Sequence, residues 1–133
     1  MKCVGLDLTF WALIKNDLAK AIDYRSTIDD VHQFILDGKV QLWALHDGEI
    51  SAVMTTEIVC YSQIKAIRVL AVSGENMDLW LDCLIDTLSE WGKEKGAELI
   101  EFYGRKGWEK VLTTKGFGET QIFMTRRINH VRT

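Results

Sequence analysis

The chain has 133 residues, of which 47% are hydrophobic and 26% charged, and its formal net charge at pH 7 is -3. These values are typical of one globular domain spanning 1–133, and they offer no broad basic surface to nucleic acid or to an anionic membrane. Three cysteines without a close pair indicate neither a disulfide framework nor a zinc ribbon. Because Asp7, Lys15 and Asp17 interrupt the N-terminal stretch, we expect no signal peptide, no membrane partner and a cytoplasmic location.

Two helices are predicted in the first third of the chain. The first runs from about Phe10 to Asp23, where apolar residues recur at helical spacing. These residues are Trp11, Leu13, Ile14, Leu18 and Ile22. The second begins at Thr27, which forms a variant of the capping box with Asp30, and ends at Gly38. Two helices are therefore expected to precede the sheet.

A run of strands follows from Val40. The segments Val40–Leu45 and Ile50–Cys60 flank an Asp-Gly pair, which is typical of a hairpin turn. The next segment, Ile64–Val72, is apolar on both faces near its end, as expected of a central strand covered on both sides.

A regular helical pattern occupies Glu75–Lys95 and ends at Gly96. The segment Glu98–Tyr103 then has strand character, so the two strands and the helix between them form a βαβ unit with parallel strands. A short helix from about Gly107 to Lys115 and a last strand from about Gln121 to Arg127 complete the chain. These elements indicate a mixed sheet with helices packed on it.

This order of elements resembles the GNAT (N-acetyltransferase) superfamily from Val40 onward. Two local segments add to the resemblance, Arg68–Asn76 (RVLAVSGEN) and Gly104–Phe117 (GRKGWEKVLTTKGF). The second segment also resembles small GNAT-like proteins of short-tailed bacteriophages. The resemblance implies an α/β (α+β) fold, with a mostly antiparallel mixed sheet, one central βαβ unit and helices on both faces.

The resemblance also implies an activity, the transfer of an acetyl group from acetyl-CoA to an amine substrate. Backbone N–H groups at a helix N-terminus bind phosphate oxygens without a basic side chain. The residues that would hold the cofactor pyrophosphate in this way are Val72, Ser73, Gly74, Glu75, Asn76 and Met77. The family pattern for this loop has Gln or Arg first, then Gly, then Gly or Ala, and this chain has Ala71, Gly74 and Asn76 there. Alternatively, Glu75 and Asp78 cap the helix, since their carboxylates suit the helix dipole and would repel a diphosphate.

The catalytic residues are less clearly marked. Many relatives have a tyrosine four residues before the Gly-Phe pair as the acid that protonates the thiolate, and Leu112 stands there in this chain. Glu57 and Glu101 lie on strand faces and are candidates to relay a proton from an ammonium substrate, while Tyr103 is the best substitute acid. Simpler alternatives are solvated carboxylates and an amphipathic aromatic at the sheet edge.

The remaining polar residues leave further alternatives open. Arg105 and Lys106, between two glycines, would either meet an anion such as a CoA phosphate or cap a loop. The histidines His32, His46 and His130 have no Cys or carboxylate at ligand spacing, so no metal is expected.

Two hypotheses about function follow. The chain is either a diverged acetyl-CoA-dependent N-acetyltransferase or a non-catalytic GNAT-fold protein. In the second case it would be a phage-type structural or assembly component, located in the host cytoplasm or the virion. Its surface would then bind a protein partner or another copy of itself in a homo-oligomer.

Overall fold

The computed structural model describes residues 1–104 and 107–128. The predicted roles of Arg105, Lys106 and His130 therefore lie outside the described residues. Within them the chain forms β1 (Lys2–Gly5), α1 (Trp11–Ala19), α2 (Ile28–Leu36), β2 (Gln41–Asp47), β3 (Glu49–Cys60), β4 (Lys65–Gly74), α3 (Leu81–Glu94), β5 (Leu99–Phe102) and α4 (Gly107–Thr113). Short 3₁₀ turns at Leu8–Phe10 and Met77–Leu79 precede α1 and α3.

The strands form one sheet in the order β1-β2-β3-β4-β5. The first three pairings are antiparallel, whereas β4 and β5 are parallel and are connected through α3. This confirms the mixed, mostly antiparallel sheet and the βαβ unit predicted from the sequence.

Several local sequence signals form the structures predicted for them. Gly48 turns β2 into β3 with a φ of 82°, a left-handed conformation that glycine adopts without steric cost. The Thr27 hydroxyl accepts a hydrogen bond from the backbone N–H of Asp30 at 3.1 Å, and the Asp30 carboxylate accepts one from the backbone N–H of Thr27 at 3.0 Å. This reciprocal pair is the capping box that starts α2.

The sheet has a separate apolar core on each face. On one face α3 and α4 bury the larger cluster, which contains Met54, Ile67, Val69 and Leu84. On the other face α1 and α2 bury a smaller cluster around Leu18. Helices therefore cover both faces, as predicted, and each fully buried Leu, Ile or Val stabilises the fold by about 1.5–3 kcal/mol.

The structure differs from the predicted elements in three places. A strand, β1, precedes the two helices and pairs with β2; its four residues are mostly exposed, so they carry no clear apolar alternation. The helix predicted from Glu75 begins at Leu81, because Asn76 adopts a left-handed conformation with a φ of 54° and a 3₁₀ turn follows it. The strand predicted at Gln121–Arg127 does not form; in the described chain up to residue 128 this segment is exposed and pairs with no strand.

The edge strand β1 places Cys3 against α3. Burial raises the pKa of the Cys3 thiol from its ordinary value of 9.0 to about 11; the nearby Cys83 thiol adds to the rise, and a hydrogen bond with Thr87 opposes it. Because the folded-state pKa is the higher one, this thiol contributes stability that is present below about pH 9 and is lost as the pH rises towards 11.

We therefore expect Cys3→Ala to lose less stability than the wild type between pH 9 and pH 11. Urea denaturation midpoints at steps across this range test the difference. The matched control is Cys60→Ala, which removes an exposed thiol and should leave the alkaline decline in place. Parallel declines in the wild type and Cys3→Ala would contradict the expectation.

Candidate functional site

A cleft opens where β4 and β5 separate. Their parallel pairing ends at Val69 and Phe102, and the backbone N–H of Tyr103 makes a last hydrogen bond to the carbonyl of Val69 at 3.0 Å. Beyond this point β4 continues to Gly74 while still paired with β3. Since β5 stops first, the β5-facing edge of β4 has no strand partner from Leu70 onward in the described chain.

The cleft is a cavity of about 240 Å³ that is in contact with both faces of the sheet. The end of α1 reaches it from one side and Trp108 of α4 from the other. Its lining residues are Lys20, Ala21, Val69, Leu70, Ala71, Val72, Ser73, Gly74, Phe102, Tyr103, Gly104 and Trp108.

A β-bulge lies at the inner end of the cleft. Thr55 of β3 faces Ala71 and Thr56 faces Val69, so Leu70 has no residue opposite it on β3. An extra residue on one strand bends that strand and increases its twist. The bulge therefore lies at the row where β4 leaves β5, and the bend that it introduces favours their separation.

Aromatic side chains form the wall of the cleft on the α3 face. Trp108 packs against Phe102 and Trp80, with ring centroids 5.6 Å and 6.4 Å away. The buried indole of Trp80 also donates a hydrogen bond from Nε1 to the carbonyl oxygen of Glu75 at 2.8 Å. This bond fixes the loop that leads from β4 into α3.

The predicted cofactor loop divides into two parts. Val72, Ser73 and Gly74 line the cleft, whereas Glu75, Asn76 and Met77 follow it and lead into the 3₁₀ turn. The sequence predicts Glu75 and Asp78 in the first turn of the helix, but α3 begins only at Leu81, and the acidic residue of its first turn is Asp82. Asp78 lies instead in the preceding 3₁₀ turn.

Gly74 has a structural reason to be glycine. A Cβ atom at this position would lie 2.5 Å from Cβ of Ala52 and 2.7 Å from the carbonyl oxygen of Ser51. The end of β4 thus depends on the missing side chain for its close approach to β3. The one loop residue that matches the family pattern is explained by this packing alone.

We expect Gly74→Ala to destabilise the protein by about 1–3 kcal/mol, because the added methyl group must push β3 and β4 apart. Gly5→Ala is the matched control, since a Cβ at that strand residue meets nothing within 4 Å. Urea denaturation of both variants measures the difference. Equal stabilities would show that β4 does not need this close approach.

The two predicted catalytic carboxylates lie beside the cleft and share one arginine. Arg68 donates from Nη1 to Glu57 at 3.5 Å, from Nε to Glu101 at 3.3 Å, and from Nη2 to the Tyr61 hydroxyl at 2.9 Å. The Tyr61 hydroxyl in turn donates to the two Glu101 carboxylate oxygens at 3.0 Å and 2.9 Å. We call Glu57, Tyr61, Arg68 and Glu101 the Arg68 cluster.

The charge on Arg68 is firmly held. Burial lowers the pKa of its guanidinium, but the hydrogen bond to Tyr61 and the interaction with Glu101 outweigh burial, so the pKa is raised above its ordinary value. Its guanidinium carbon lies 5.8 Å from the ring centroid of Tyr103, within range of a cation–π contact. Tyr103 lines the cleft and so connects the Arg68 cluster to it.

Two positions where this chain departs from the family pattern are buried in the apolar cores. Leu112, in the position of the family tyrosine, is 6% exposed and packs in the larger cluster. Ala71, in the position of the family Gln or Arg, is also 6% exposed and packs in the smaller cluster. Neither position has room for the longer polar side chain of the family pattern without a change in packing.

Sequence reasoning missed Arg68 and Tyr61. Arg68 is the single charge within the otherwise apolar run Ala66–Val72 of β4, and such a charge in a strand covered on both faces signals a polar partner. The identity of that partner depends on strand register, which no local pattern of the sequence fixes.

The described residues hold no group of three or more His, Cys, Asp or Glu side chains suited to a metal ion. None of the helices described is long and apolar enough to cross a membrane.

Several solved structures that match this chain are described as acetyltransferases. The ribosomal-protein-alanine N-acetyltransferase of Brucella melitensis biovar Abortus 2308 matches 96% of this chain and 100% of its own, with a TM-score of 0.76 at 13% identity. A predicted acetyltransferase of Clostridium acetobutylicum, solved with acetyl-CoA, matches 98% of this chain and 99% of its own, with a TM-score of 0.72 at 11% identity. The glucosamine-6-phosphate N-acetyltransferase of Arabidopsis thaliana matches 96% of this chain and 98% of its own, with a TM-score of 0.71 at 11% identity.

These likenesses show that the chain has the GNAT fold. No protein-family model matches the sequence, and a search of curated proteins finds no relative. At 11–13% identity the likeness concerns the fold and gives no support to a phage-type subgroup.

Proposed function

We propose that this protein is an N-acetyltransferase that takes its acetyl group from acetyl-CoA and transfers it to an amine. The observation that carries the proposal is the cleft between β4 and β5, which combines an unpaired strand edge with nearby carboxylates. It is consistent with the GNAT fold and with the acetyl-CoA held by one protein of this fold.

The chemistry of the cleft fits the chain of acetyl-CoA. Its pantetheine arm is extended and carries amide groups, so it can pair with the β5-facing edge of β4 as an added strand would. Leu70 to Gly74 supply that edge, and the aromatic wall around Trp108 supplies apolar contact. Against the fit, Glu75 and Asp78 place negative charge near the position expected for the pyrophosphate.

The transfer requires two proton movements. The amine nitrogen bonds to the thioester carbon, the C–S bond breaks, the ammonium loses a proton, and the departing thiolate gains one. Glu57 and Glu101 are candidates to accept the first proton, and Tyr103, which lines the cleft, is the candidate donor of the second. Placing the amine against the thioester supplies much of the acceleration, so transfer does not require the family tyrosine.

A second candidate function is favoured by a separate observation. Ile122, Phe123, Met124 and Ile128 in the segment after α4 are all exposed. Apolar side chains exposed together are typical of surfaces that bind another protein. A non-catalytic GNAT-fold protein that binds a protein partner, or a second copy of itself, would use this segment and need no acetyl-CoA.

Thermal unfolding with and without acetyl-CoA separates the two candidates. A ligand at about 100 times its dissociation constant stabilises the folded state by about 2.7 kcal/mol, so we expect the midpoint to rise by several degrees. Ser73→Tyr should abolish the rise because it places a ring in the cleft, whereas Ser89→Tyr, at an exposed position of α3, should keep it. No rise in the wild type would favour the non-catalytic candidate.

A further inference from the structure

The three charged members of the Arg68 cluster occupy one row across three strands. Glu57 of β3 lies opposite Arg68 of β4, and Arg68 lies opposite Glu101 of β5. The next row is the Val69–Phe102 pair, where the cleft begins. The two carboxylates therefore lie at similar heights beside the inner end of the cleft, on either side of one arginine.

Glu101 accepts more hydrogen bonds within the cluster than Glu57 does. Both oxygens of Glu101 accept from the Tyr61 hydroxyl, and one of them also accepts from Arg68. Glu57 has one contact in the cluster, the 3.5 Å contact with Nη1 of Arg68. Solvent exposure does not explain the difference, because the Glu57 and Glu101 side chains are 32% and 30% exposed.

The arginine itself is directed into the cluster. Each of its three side-chain nitrogens donates to a cluster member, and its guanidinium carbon lies 5.8 Å from the ring centroid of Tyr103. A guanidinium bonded in this way fixes the geometry of its partners, since its donors form a rigid fork. Arg68 is thus suited to position other side chains rather than to bind an anionic ligand.

We propose that Arg68 and Tyr61 are positioning residues that anchor Glu101 and leave Glu57 as the carboxylate that meets the acceptor ammonium. The inference rests on the proposed function, because it assigns the proton-accepting step of that reaction to one of two candidates. The ammonium replaces the long Arg68 contact at Glu57, and its proton passes to a Glu57 oxygen. Glu101 keeps the guanidinium and Tyr103 in place.

The first test needs no turnover. A water-soluble carbodiimide with methylamine converts a reachable carboxylate into a methylamide and releases a urea, and peptide mass spectrometry gives the rate at each position. We expect Glu57 to be modified several times faster than Glu101, although exposure alone predicts equal rates. Equal rates, or faster modification of Glu101, would overturn the inference.

Two variants separate positioning from general loosening of the fold. Tyr61→Phe removes only the hydroxyl and should raise the rate at Glu101 while leaving that at Glu57 unchanged. Arg68→Gln should raise both rates and leave Glu57 the faster, because Tyr61 still bonds Glu101; circular dichroism confirms that the variant folds. Exposed Glu94 of α3 serves as an internal reference for reagent activity. An unchanged Glu101 rate in Tyr61→Phe would also overturn the inference.

The second test uses acetyl transfer to an amine. We expect Glu57→Gln to lower kcat by about 10²–10⁴-fold with acetyl-CoA binding retained. Glu101→Gln and Tyr61→Phe should mainly raise the KM for the amine, and Arg68→Lys should recover part of the activity lost in Arg68→Gln. A large loss of kcat in Glu101→Gln but not in Glu57→Gln would reverse the assignment.

Failure of this inference differs from failure of the proposed function. A wild-type protein that acetyl-CoA does not stabilise overturns the proposed function, whatever the order of carboxylate modification. If the protein binds acetyl-CoA but the carbodiimide does not modify Glu57 faster than Glu101, only the inference about Arg68 and Tyr61 is overturned.

Discussion

The structure depends on the fact that β4 extends several residues beyond the end of β5. β4 stays paired with β3 as far as Gly74, where β3 approaches too closely for a side chain at position 74, whereas β5 ends at Phe102. The bulge at Leu70 lies where the two strands part. The unpaired edge of β4, the cleft beside it and the position of the loop into α3 all follow from this one mismatch in strand length. The proposed acetyl-CoA site therefore arises mainly from the backbone.

The two faces of the sheet make different contributions around this cleft. On the α3 face, Trp80, Phe102 and Trp108 form an apolar wall, and the Trp80 indole fixes the loop at Glu75. On the opposite face the Arg68 cluster gathers charge that is only about a third exposed, so the pairing is less screened than it would be at an open surface. The apolar wall suits the acyl donor, and the charged cluster suits an ammonium acceptor.

Local sequence patterns predicted most of the fold because they need only neighbouring residues. The capping box at Thr27, the turn at Gly48 and the apolar period of α3 are of this kind. Features that depend on distant partners were missed: β1 is too short and exposed to show an alternation, and the pairing of Arg68 with Glu57 and Glu101 depends on strand register. The sequence therefore indicates Glu57, Glu101 and Tyr103 as candidates but does not indicate the arginine that contacts all three.

The central claim is that acetyl-CoA binds along the free edge of β4. Nuclear magnetic resonance spectra of the ¹⁵N-labelled protein, recorded during titration with acetyl-CoA, test this claim residue by residue. The account predicts that the largest shifts fall on the backbone amides of Leu70–Gly74 and Tyr103, with little change in β1 or β2. Shifts concentrated away from the cleft, or none at millimolar acetyl-CoA, would contradict it.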